Sequence, residues 1–177
     1  VELPSQIMEN WVWNDDMLKK LSKHVQTGKS LSKEMRDKIL AGKKFQNAYH
    51  FMRQIIMGKL DMDLHTGKIK DATAAYRSVT KMYTGIELPE KETLFPAGFG
   101  HLVGYDAGYY SYLWALVYAQ DAFSEFEKKG IFNKELGMRW RKEVLEKGSL
   151  EDEMQLLKNF LGRKPSDKAF LKELGVK

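Results

Sequence analysis

Apolar residues recur three and four positions apart along nearly the whole chain, and no segment alternates strictly between apolar and polar residues. That spacing places apolar side chains on one face of an α-helix, whereas a half-buried strand would show a period of two. The pattern therefore predicts an all-α protein built from many helices. Nothing repeats at a fixed longer period, and no low-complexity linker interrupts the chain. We expect residues 1–177 to form a single helical region without an internal boundary.

Capping residues and glycines divide this pattern into separate helices. A first helix is predicted from about Pro4 into the low twenties, because proline suits the first turn of a helix. Ser32 and Asp71 are predicted N-caps, since their side-chain oxygens can accept hydrogen bonds from first-turn amides. Between them we expect a long helix over about residues 43–64, with Gly67 as its stop.

Residues 85–104 interrupt the helical pattern, because prolines and glycines are frequent there. This predicts a long Gly/Pro loop, and ordered loops of that length are often functional. The most hydrophobic helix is predicted next, over about residues 105–129, and we expect it to be central and buried. The predicted starts of the last helices are Asn133, Ser149 with Asp152 as a capping box, and Ser166.

The composition is that of a globular protein, with 43% hydrophobic and 30% charged residues. No apolar stretch is long enough to cross a bilayer, so no membrane partner is expected. The net charge of +5 comes from 29 Lys plus Arg against 24 Asp plus Glu, and both signs are mixed along the polar stretches. That mixture is typical of a solvated surface and argues against a nucleic-acid partner. A basic helical nucleic-acid binder is the least favoured alternative, and it would show strong salt dependence.

The chain contains no cysteine, which excludes disulfides and thiolate metal sites. Such a composition is typical of intracellular proteins, and a cytoplasmic location is predicted. The first residue, Val1, is not an initiator methionine, and we expect the sequence to begin partway through a larger protein.

The first stretch that could carry chemistry is Glu-Leu-Pro-Ser-Gln-Ile-Met-Glu-Asn-Trp, residues 2–11. On a helix Glu2, Gln6 and Glu9 share one face, at spacings of four and three. Two carboxylates with an amide between them can supply one metal ligand and one hydrogen-bonding partner of that ligand. The alternative is an exposed helix start, where the helix dipole favours acidic residues.

The second stretch is Phe-Gly-His-Leu-Val-Gly-Tyr-Asp-Ala-Gly-Tyr-Tyr-Ser-Tyr-Leu-Trp, residues 99–114. Tyr105, Tyr109 and Tyr112 have the spacing of one helical face, i, i+4 and i+7, beside a glycine-containing loop that holds His101. Phenols next to an imidazole can donate hydrogen bonds to an oxygen that gains negative charge in a transition state. The alternative is an aromatic core stripe whose hydroxyls are all hydrogen-bonded.

Both stretches resemble the zinc metallopeptidases of the thimet oligopeptidase, neurolysin and oligopeptidase A family. That family carries Glu-x-Pro-Ser-Gln followed by Glu-Asn-Trp, which residues 2–11 match. Its substrate-binding loop and helix are similar to Phe-Gly-His-Leu, Gly-Tyr-Asp-Ala, Tyr-Tyr and Tyr-Leu-Trp within residues 99–114. Its closing segment is similar to residues 160–171, so the resemblance spans essentially the whole chain. One difference is Val103, since the family commonly has two glycines before the tyrosine that aligns with Tyr105.

The resemblance implies roles for individual residues. Glu2 occupies the position of the third zinc ligand, a carboxylate that joins two histidines and leaves one coordination position for water. Glu9 is implied to be a hydrogen-bonding neighbour of that metal site. The residues implied to bind the peptide are His101, Tyr105, Tyr109 and Tyr112. All of these except Tyr109 are also implied to be catalytic, because they stabilise the tetrahedral intermediate.

The sequence lacks the His-Glu-x-x-His motif of these enzymes. Its four histidines are His24, His50, His65 and His101, and none begins that motif. The motif places two zinc ligands on one helical face, and its glutamate is the family's general base. An incomplete zinc site is therefore expected here, with zinc bound only in the intact enzyme.

We predict an all-α C-terminal fragment of a zinc-dependent oligopeptidase that hydrolyses short peptides. Alone it is expected to be inactive, and its natural partner is the missing N-terminal part of the enzyme. The alternative is a self-sufficient helical module that binds short peptides without metal or catalysis. Peptide titration in the absence of metal separates these two hypotheses.

Overall fold

The computed structural model describes residues 2–67, 69–89 and 94–176, and within these ranges the chain is helical and contains no β-strand. The all-α prediction is confirmed. The helices are α1 (Leu3–Val12), α2 (Asp15–Leu21), α3 (Lys33–Lys44), α4 (Asn47–His65), α5 (Ala72–Thr84), α6 (Phe95–Gly98), α7 (His101–Gly104), α8 (Ser111–Lys129), α9 (Lys134–Trp140), α10 (Glu153–Leu161) and α11 (Lys168–Leu174). A π-helical turn, Arg141–Leu145, follows α9 directly.

The chain divides into two compact units. The first unit consists of Val1–Phe45 and Ala115–Lys177, and the second unit is Gln46–Trp114. The first unit therefore holds the helices at both ends of the chain, while the second holds α4 to α7 and the first turn of α8. The expectation of a single helical region stays a prediction. No helix in the described ranges has the length and apolar character that a membrane span requires.

The core of the first unit is built from aromatic side chains on separate helices. Phe160 is only 1% exposed and meets the ring of Trp140 edge to face, with 4.9 Å between ring centroids. Trp11 packs edge-on against Phe126 at 4.9 Å, and its indole N–H donates to the carbonyl of Ile131 at 2.9 Å. These contacts join α1, α8, α9 and α10 around one apolar centre.

The first unit also buries a carboxylate, Asp121 on α8. It accepts two hydrogen bonds from the Arg163 guanidinium, at 2.7 and 2.8 Å, and a third from the backbone N–H of Ser166 at 2.8 Å. Glu125, one turn further along α8, lies 3.3 Å from the same guanidinium. The Arg163 guanidinium therefore donates hydrogen bonds to both carboxylates. These hydrogen bonds compensate for the burial of the charges and hold the segment after α10 against α8.

The predicted first helix is wrong in one respect, because it is two helices. The break lies at Asn14, whose side-chain oxygen accepts from the backbone N–H groups of Asp16 and Met17 at 3.0 and 3.3 Å. An asparagine that satisfies first-turn amides starts a new helix, and it interrupts the one before it.

The other long helices also differ from their predicted bounds. The predicted helix over residues 43–64 begins only at Asn47, because Gln46 adopts a left-handed conformation with φ of 55° that separates it from α3. The predicted helix over residues 105–129 begins only at Ser111, and the residues before it form turns. Its buried residues lie between Ala119 and Phe126, so the helix is buried from its middle onward and not along its whole length.

Several predicted helix ends are confirmed. Ser32 accepts from the backbone N–H of Met35, and Asp71 caps α5. Asn133 caps α9, and Gly67, with φ of 73°, follows the end of α4 as its predicted stop. The predicted capping box of Ser149 and Asp152 is wrong, because Asp152 is itself the N-cap of α10. Near the predicted start of the last helix, the Ser166 hydroxyl accepts from the N–H of Lys168 at 3.2 Å.

The predicted Gly/Pro loop contains some helix. Residues 95–104 form the one-turn helices α6 and α7, separated by Phe99 and Gly100. Residues 90–93 of the predicted loop lie outside the described residues. The two short helices bring the glycines of this segment to the mouth of a pocket.

Candidate functional site

A shallow pocket of about 580 Å³ lies in the second unit. Its lining residues come from α6, α7, the residues next to these helices and the beginning of α8, and they are Gly98, Phe99, Gly100, His101, Gly104, Tyr105 and Tyr112. Three of the four residues implied to bind substrate therefore line one surface. The pocket belongs to the stretch that the sequence singled out for its glycines and phenols.

His101 and Tyr112 both contribute polar groups to the pocket wall. His101 is the first residue of α7, and Tyr112 is the second residue of α8. Nε2 of His101 lies 3.4 Å from the hydroxyl of Tyr112, and either atom can donate, depending on the imidazole tautomer. An imidazole and a phenol are thus side by side at the surface of the pocket, and when Nε2 donates to the phenol oxygen, the phenol O–H can donate to a ligand.

Tyr105 joins this pair from the end of α7. Its ring stacks on the ring of Tyr112 with 5.2 Å between centroids, and its hydroxyl lies 3.1 Å from Oγ of Ser111. The expected helical row of tyrosines is wrong, since Tyr105 and Tyr109 precede α8. The turns between α7 and α8, and not the period of one helix, bring the rings of Tyr105 and Tyr112 together.

Tyr109 differs from the other tyrosines because it is only 8% exposed. It packs with Met57 and Phe99, and its ring centroid lies 5.2 Å from that of His101. Burial raises the pKa of the Tyr109 hydroxyl, and a hydrogen bond with the Gln54 side chain acts in the opposite direction. Tyr109 is not one of the lining residues of the pocket, so substrate contact by Tyr109 stays a prediction.

The glycines have two different functions around the pocket. A Cβ atom on Gly98, Gly100 or Gly104 would meet no other atom within 4 Å, so these glycines leave the pocket mouth open. A Cβ atom on Gly108 would instead lie 3.1 Å from the carbonyl oxygen of Tyr105 and 3.2 Å from its ring. Gly108 is thus needed for the close approach of the turn to Tyr105.

Sequence reasoning missed Asp61 of α4, whose buried carboxylate accepts hydrogen bonds from the backbone of the turn between α7 and α8. The available signal was its spacing from His65, since side chains four positions apart on a helix are neighbours. That signal indicates a local pair, and it does not show that the pair reaches a distant segment. Ser111, the partner of the Tyr105 hydroxyl, was missed as well.

Glu2 and Glu9 lie in the first unit, Glu2 as the N-cap residue of α1 and Glu9 within that helix. Glu2 precedes the helix with helical backbone angles, φ of −80° and ψ of −19°, so Glu2, Gln6 and Glu9 follow one helical row. The Glu2 backbone carbonyl accepts from the Ser5 hydroxyl at 2.8 Å. Glu2 is half-buried and Glu9 is exposed. That these carboxylates and the tyrosines meet around one metal-bound water stays a prediction.

Zinc is implied by the resemblance, and the donor set of this chain can be compared with what zinc requires. Among residues 2–67, 69–89 and 94–176, no group of three His, Asp or Glu side chains lies close enough together to hold a metal ion. A catalytic zinc takes three protein ligands, and Glu2 would supply one. The described residues therefore do not fit a complete zinc site, and no chemical step through zinc follows from them.

Comparison with known proteins shows the family. The family model of peptidase family M3 matches residues 1–176, and the chain belongs to that family. Oligopeptidase A of Escherichia coli (strain K12) is 43% identical over 100% of this chain and 27% of its own length. Thimet-like oligopeptidase of Dictyostelium discoideum is 38% identical over 99% of this chain and 27% of its own length. Saccharolysin of Saccharomyces cerevisiae (strain ATCC 204508 / S288c) is 37% identical over 99% of this chain and 25% of its own length.

These matches confirm the family that residues 2–11 and 99–114 resemble. The chain spans about a quarter of the length of the curated relatives it matches. Two of these three relatives carry the name oligopeptidase, and all three are longer than this chain.

Proposed function

We propose that this chain is the C-terminal part of a zinc-dependent oligopeptidase that hydrolyses short peptides. The pocket in which His101, Tyr105 and Tyr112 stand together carries the proposal, because it combines open space with convergent hydrogen-bond donors. Further support comes from the family and from relatives named as oligopeptidases. The partner of the chain is the remaining part of the enzyme.

In the proposed enzyme, His101, Tyr105 and Tyr112 hold the peptide and donate hydrogen bonds to its carbonyl oxygen. That oxygen gains negative charge when water attacks the peptide bond, so donors already in place stabilise the transition state more than the substrate. The stacking of Tyr105 on Tyr112 restricts both rings before the peptide arrives. Tyr109 supports the same site from the core.

Glu2 is proposed to supply the third zinc ligand, with Glu9 as its hydrogen-bonding neighbour. The other two ligands and the general base are absent from this sequence, because no His-Glu-x-x-His occurs in it. The proposal therefore includes inactivity of the isolated chain. Chelator-sensitive cleavage of a short peptide by the pure chain would contradict this part.

The test of the proposal is made in the full-length enzyme, with Tyr112→Phe as the main variant. Removing one donor to a developing oxyanion is expected to lower kcat about 100- to 1,000-fold, with little change in KM. Tyr110→Phe is the matched control, because Tyr110 lies two positions before Tyr112 and is 54% exposed, but is not among the lining residues of the pocket. Equal kcat values for the two variants would contradict the proposed role of Tyr112.

A stand-alone peptide-binding module is the second candidate, and one observation favours it. All lining residues of the pocket belong to the second unit, so binding at the pocket does not require Glu2 or a metal ion. Titration of the isolated chain with a short peptide in excess chelator separates the two functions. Tight binding under these conditions supports the module, and weak binding that increases when the remaining part is added supports the enzyme.

A further inference from the structure

Asp61 is a fully buried carboxylate in the middle of the second unit, with 0% of its surface exposed. A charged group in such a place is stable only if hydrogen-bond donors replace the water it has lost. Three donors surround Asp61. They are the backbone N–H of Ala107 at 3.0 Å, the backbone N–H of Tyr109 at 3.0 Å and Nδ1 of His65 at 2.9 Å.

Two of these donors belong to the turn between α7 and α8, more than forty positions away along the chain. The N–H of Ala107 donates to Oδ1 and the N–H of Tyr109 donates to Oδ2, so one carboxylate bridges both sides of Gly108. Ala107 has φ of 54°, a left-handed conformation that alanine rarely adopts. The two hydrogen bonds stabilise a backbone conformation that the sequence would not prefer by itself.

This turn determines where the tyrosine rings stand. Tyr105 precedes it and contacts Gly108 closely, since the carbonyl oxygen of Tyr105 accepts from the Gly108 N–H at 3.0 Å. Tyr112 follows it, and its backbone N–H donates to the Tyr109 carbonyl at 3.2 Å. A shift of the turn would therefore move Tyr105 relative to Tyr112 and open the stack between them.

His65 holds the carboxylate itself in place. Its Nδ1 lies 2.8 Å from the Asp61 carbonyl oxygen and 2.9 Å from Oδ1 of the Asp61 side chain. Oδ1 of Asp61 is thus shared between His65 of its own helix and the N–H of Ala107, while Oδ2 binds the N–H of Tyr109. Asp61 is not among the lining residues of the pocket, so any effect on the pocket passes through the turn.

We infer that Asp61 is a positioning residue, which fixes the turn between α7 and α8 so that Tyr105 and Tyr112 are set to bind a peptide. This inference rests on the proposed function, because only that function assigns peptide binding to Tyr105 and Tyr112. Asp61 acts through two backbone amides and does not touch the substrate.

The decisive variant is Asp61→Asn in the full-length enzyme. Asparagine keeps the shape of the side chain, but its NH₂ group cannot accept a hydrogen bond, so one of the two backbone amides loses its acceptor. The expected result is a fall in kcat of at least about tenfold, because misplaced donors stabilise the transition state less well. The amides of Ala107 and Tyr109 should also exchange hydrogen faster, measured at single-residue resolution.

Asp63→Asn is the matched control. It makes the same chemical change two positions along α4, where Asp63 pairs with Lys59 on the surface and does not contact the turn. Unchanged kcat and unchanged exchange at Ala107 and Tyr109 are expected for this control. A kcat of Asp61→Asn equal to that of the control would overturn the inference.

A measurement on the unaltered enzyme covers the case in which Asp61→Asn fails to fold. The Ala107 and Tyr109 amides should exchange at least about tenfold more slowly than amides of an unstructured peptide, although they lie in a turn. Exchange at the unstructured rate would overturn the inference. If the unaltered enzyme cleaves no peptide, the proposed function fails, and the exchange rates still decide whether Asp61 holds the turn.

Discussion

Asp121 in the first unit and Asp61 in the second are both almost fully buried, at 3% and 0% exposure, but they bind different groups. Asp121 binds the guanidinium of Arg163 and one backbone amide, and it fastens a chain segment to the core. Asp61 binds two amides of a turn that carries pocket residues. The same chemical group thus stabilises the scaffold in one unit and shapes the pocket in the other.

The apolar clusters of the two units differ as well. In the first unit, aromatic rings from α1, α8, α9 and α10 form one continuous cluster. In the second, the cluster of Met57, Phe99 and Tyr109 borders the open pocket. A side chain beside open space contributes less to stability than one surrounded on all sides, because fewer contacts are lost when it is removed. We therefore expect the first unit to supply most of the stability and the second to hold the more adaptable surface.

The largest effect on the free energy of unfolding is expected for Phe160→Ala, and it is compared with the effect of Phe99→Ala. Phe160→Ala should lower the free energy of unfolding by about 3–5 kcal/mol, the usual cost of a large cavity in a closed core. Phe99→Ala should cost less than about 3 kcal/mol, the lower end of that range, since Phe99 lines the pocket and neighbouring side chains can close around the space it leaves. Chemical denaturation of both variants measures the difference. Equal losses of unfolding free energy in the two variants would contradict the expectation that the cluster of the first unit contributes more to stability.

An intermediate effect is expected for Arg163→Ala, which leaves Asp121 buried without its main partner. Removing one member of a buried pair is costly, and because Arg163 is partly exposed we expect about 2–3 kcal/mol, near the lower limit of such losses. Arg141→Ala is the control, because Arg141 pairs with Glu146 on the surface and should cost less than about 1 kcal/mol. The denaturation midpoints of the two variants measure these losses of stability. A larger loss for Arg141→Ala than for Arg163→Ala would contradict the assigned role of the Asp121 network.

The smallest expected effect is the contribution of His65 to stability, and this contribution depends on pH. The hydrogen bond to the Asp61 carbonyl, more than any other contact, raises the pKa of His65 above its ordinary value of 6.5. A raised pKa means that the folded state binds the proton more tightly, so this stabilisation is complete below about pH 6.5 and is lost as pH rises through the folded-state pKa. The stability difference between unaltered chain and His65→Gln should therefore be larger at about pH 5 than at about pH 9. A stability difference between the unaltered chain and His65→Gln that grows as the pH rises would contradict this prediction.

Local sequence signals predicted the helical class and many helix ends correctly. Ser32, Asp71 and Asn133 cap helices as predicted, because an N-cap acts on amides only two or three positions away. The same local logic failed at Asn14 and Gln46. There the apolar period continues across the break, while the backbone turns away from the helix.

The candidate site was predictable in its residue types but not in its geometry. The motif of glycines, His101 and tyrosines is visible in the sequence, and the pocket consists of that motif. The helical spacing of Tyr105, Tyr109 and Tyr112 suggested one helix face, and that geometry was wrong because α8 begins at Ser111. Periodicity cannot reveal a turn whose conformation depends on a distant partner.

The sequence by itself determined the all-α class, the family and the residues of the pocket, because these depend on spacing and on short motifs. Tertiary structure alone decided where α8 begins, which tyrosine is buried and which carboxylate holds the turn. The physical reason is the left-handed backbone at Ala107, which costs free energy locally and is offset by hydrogen bonds to Asp61 on another helix. Such a balance between a local cost and a distant contact exists only in the folded chain.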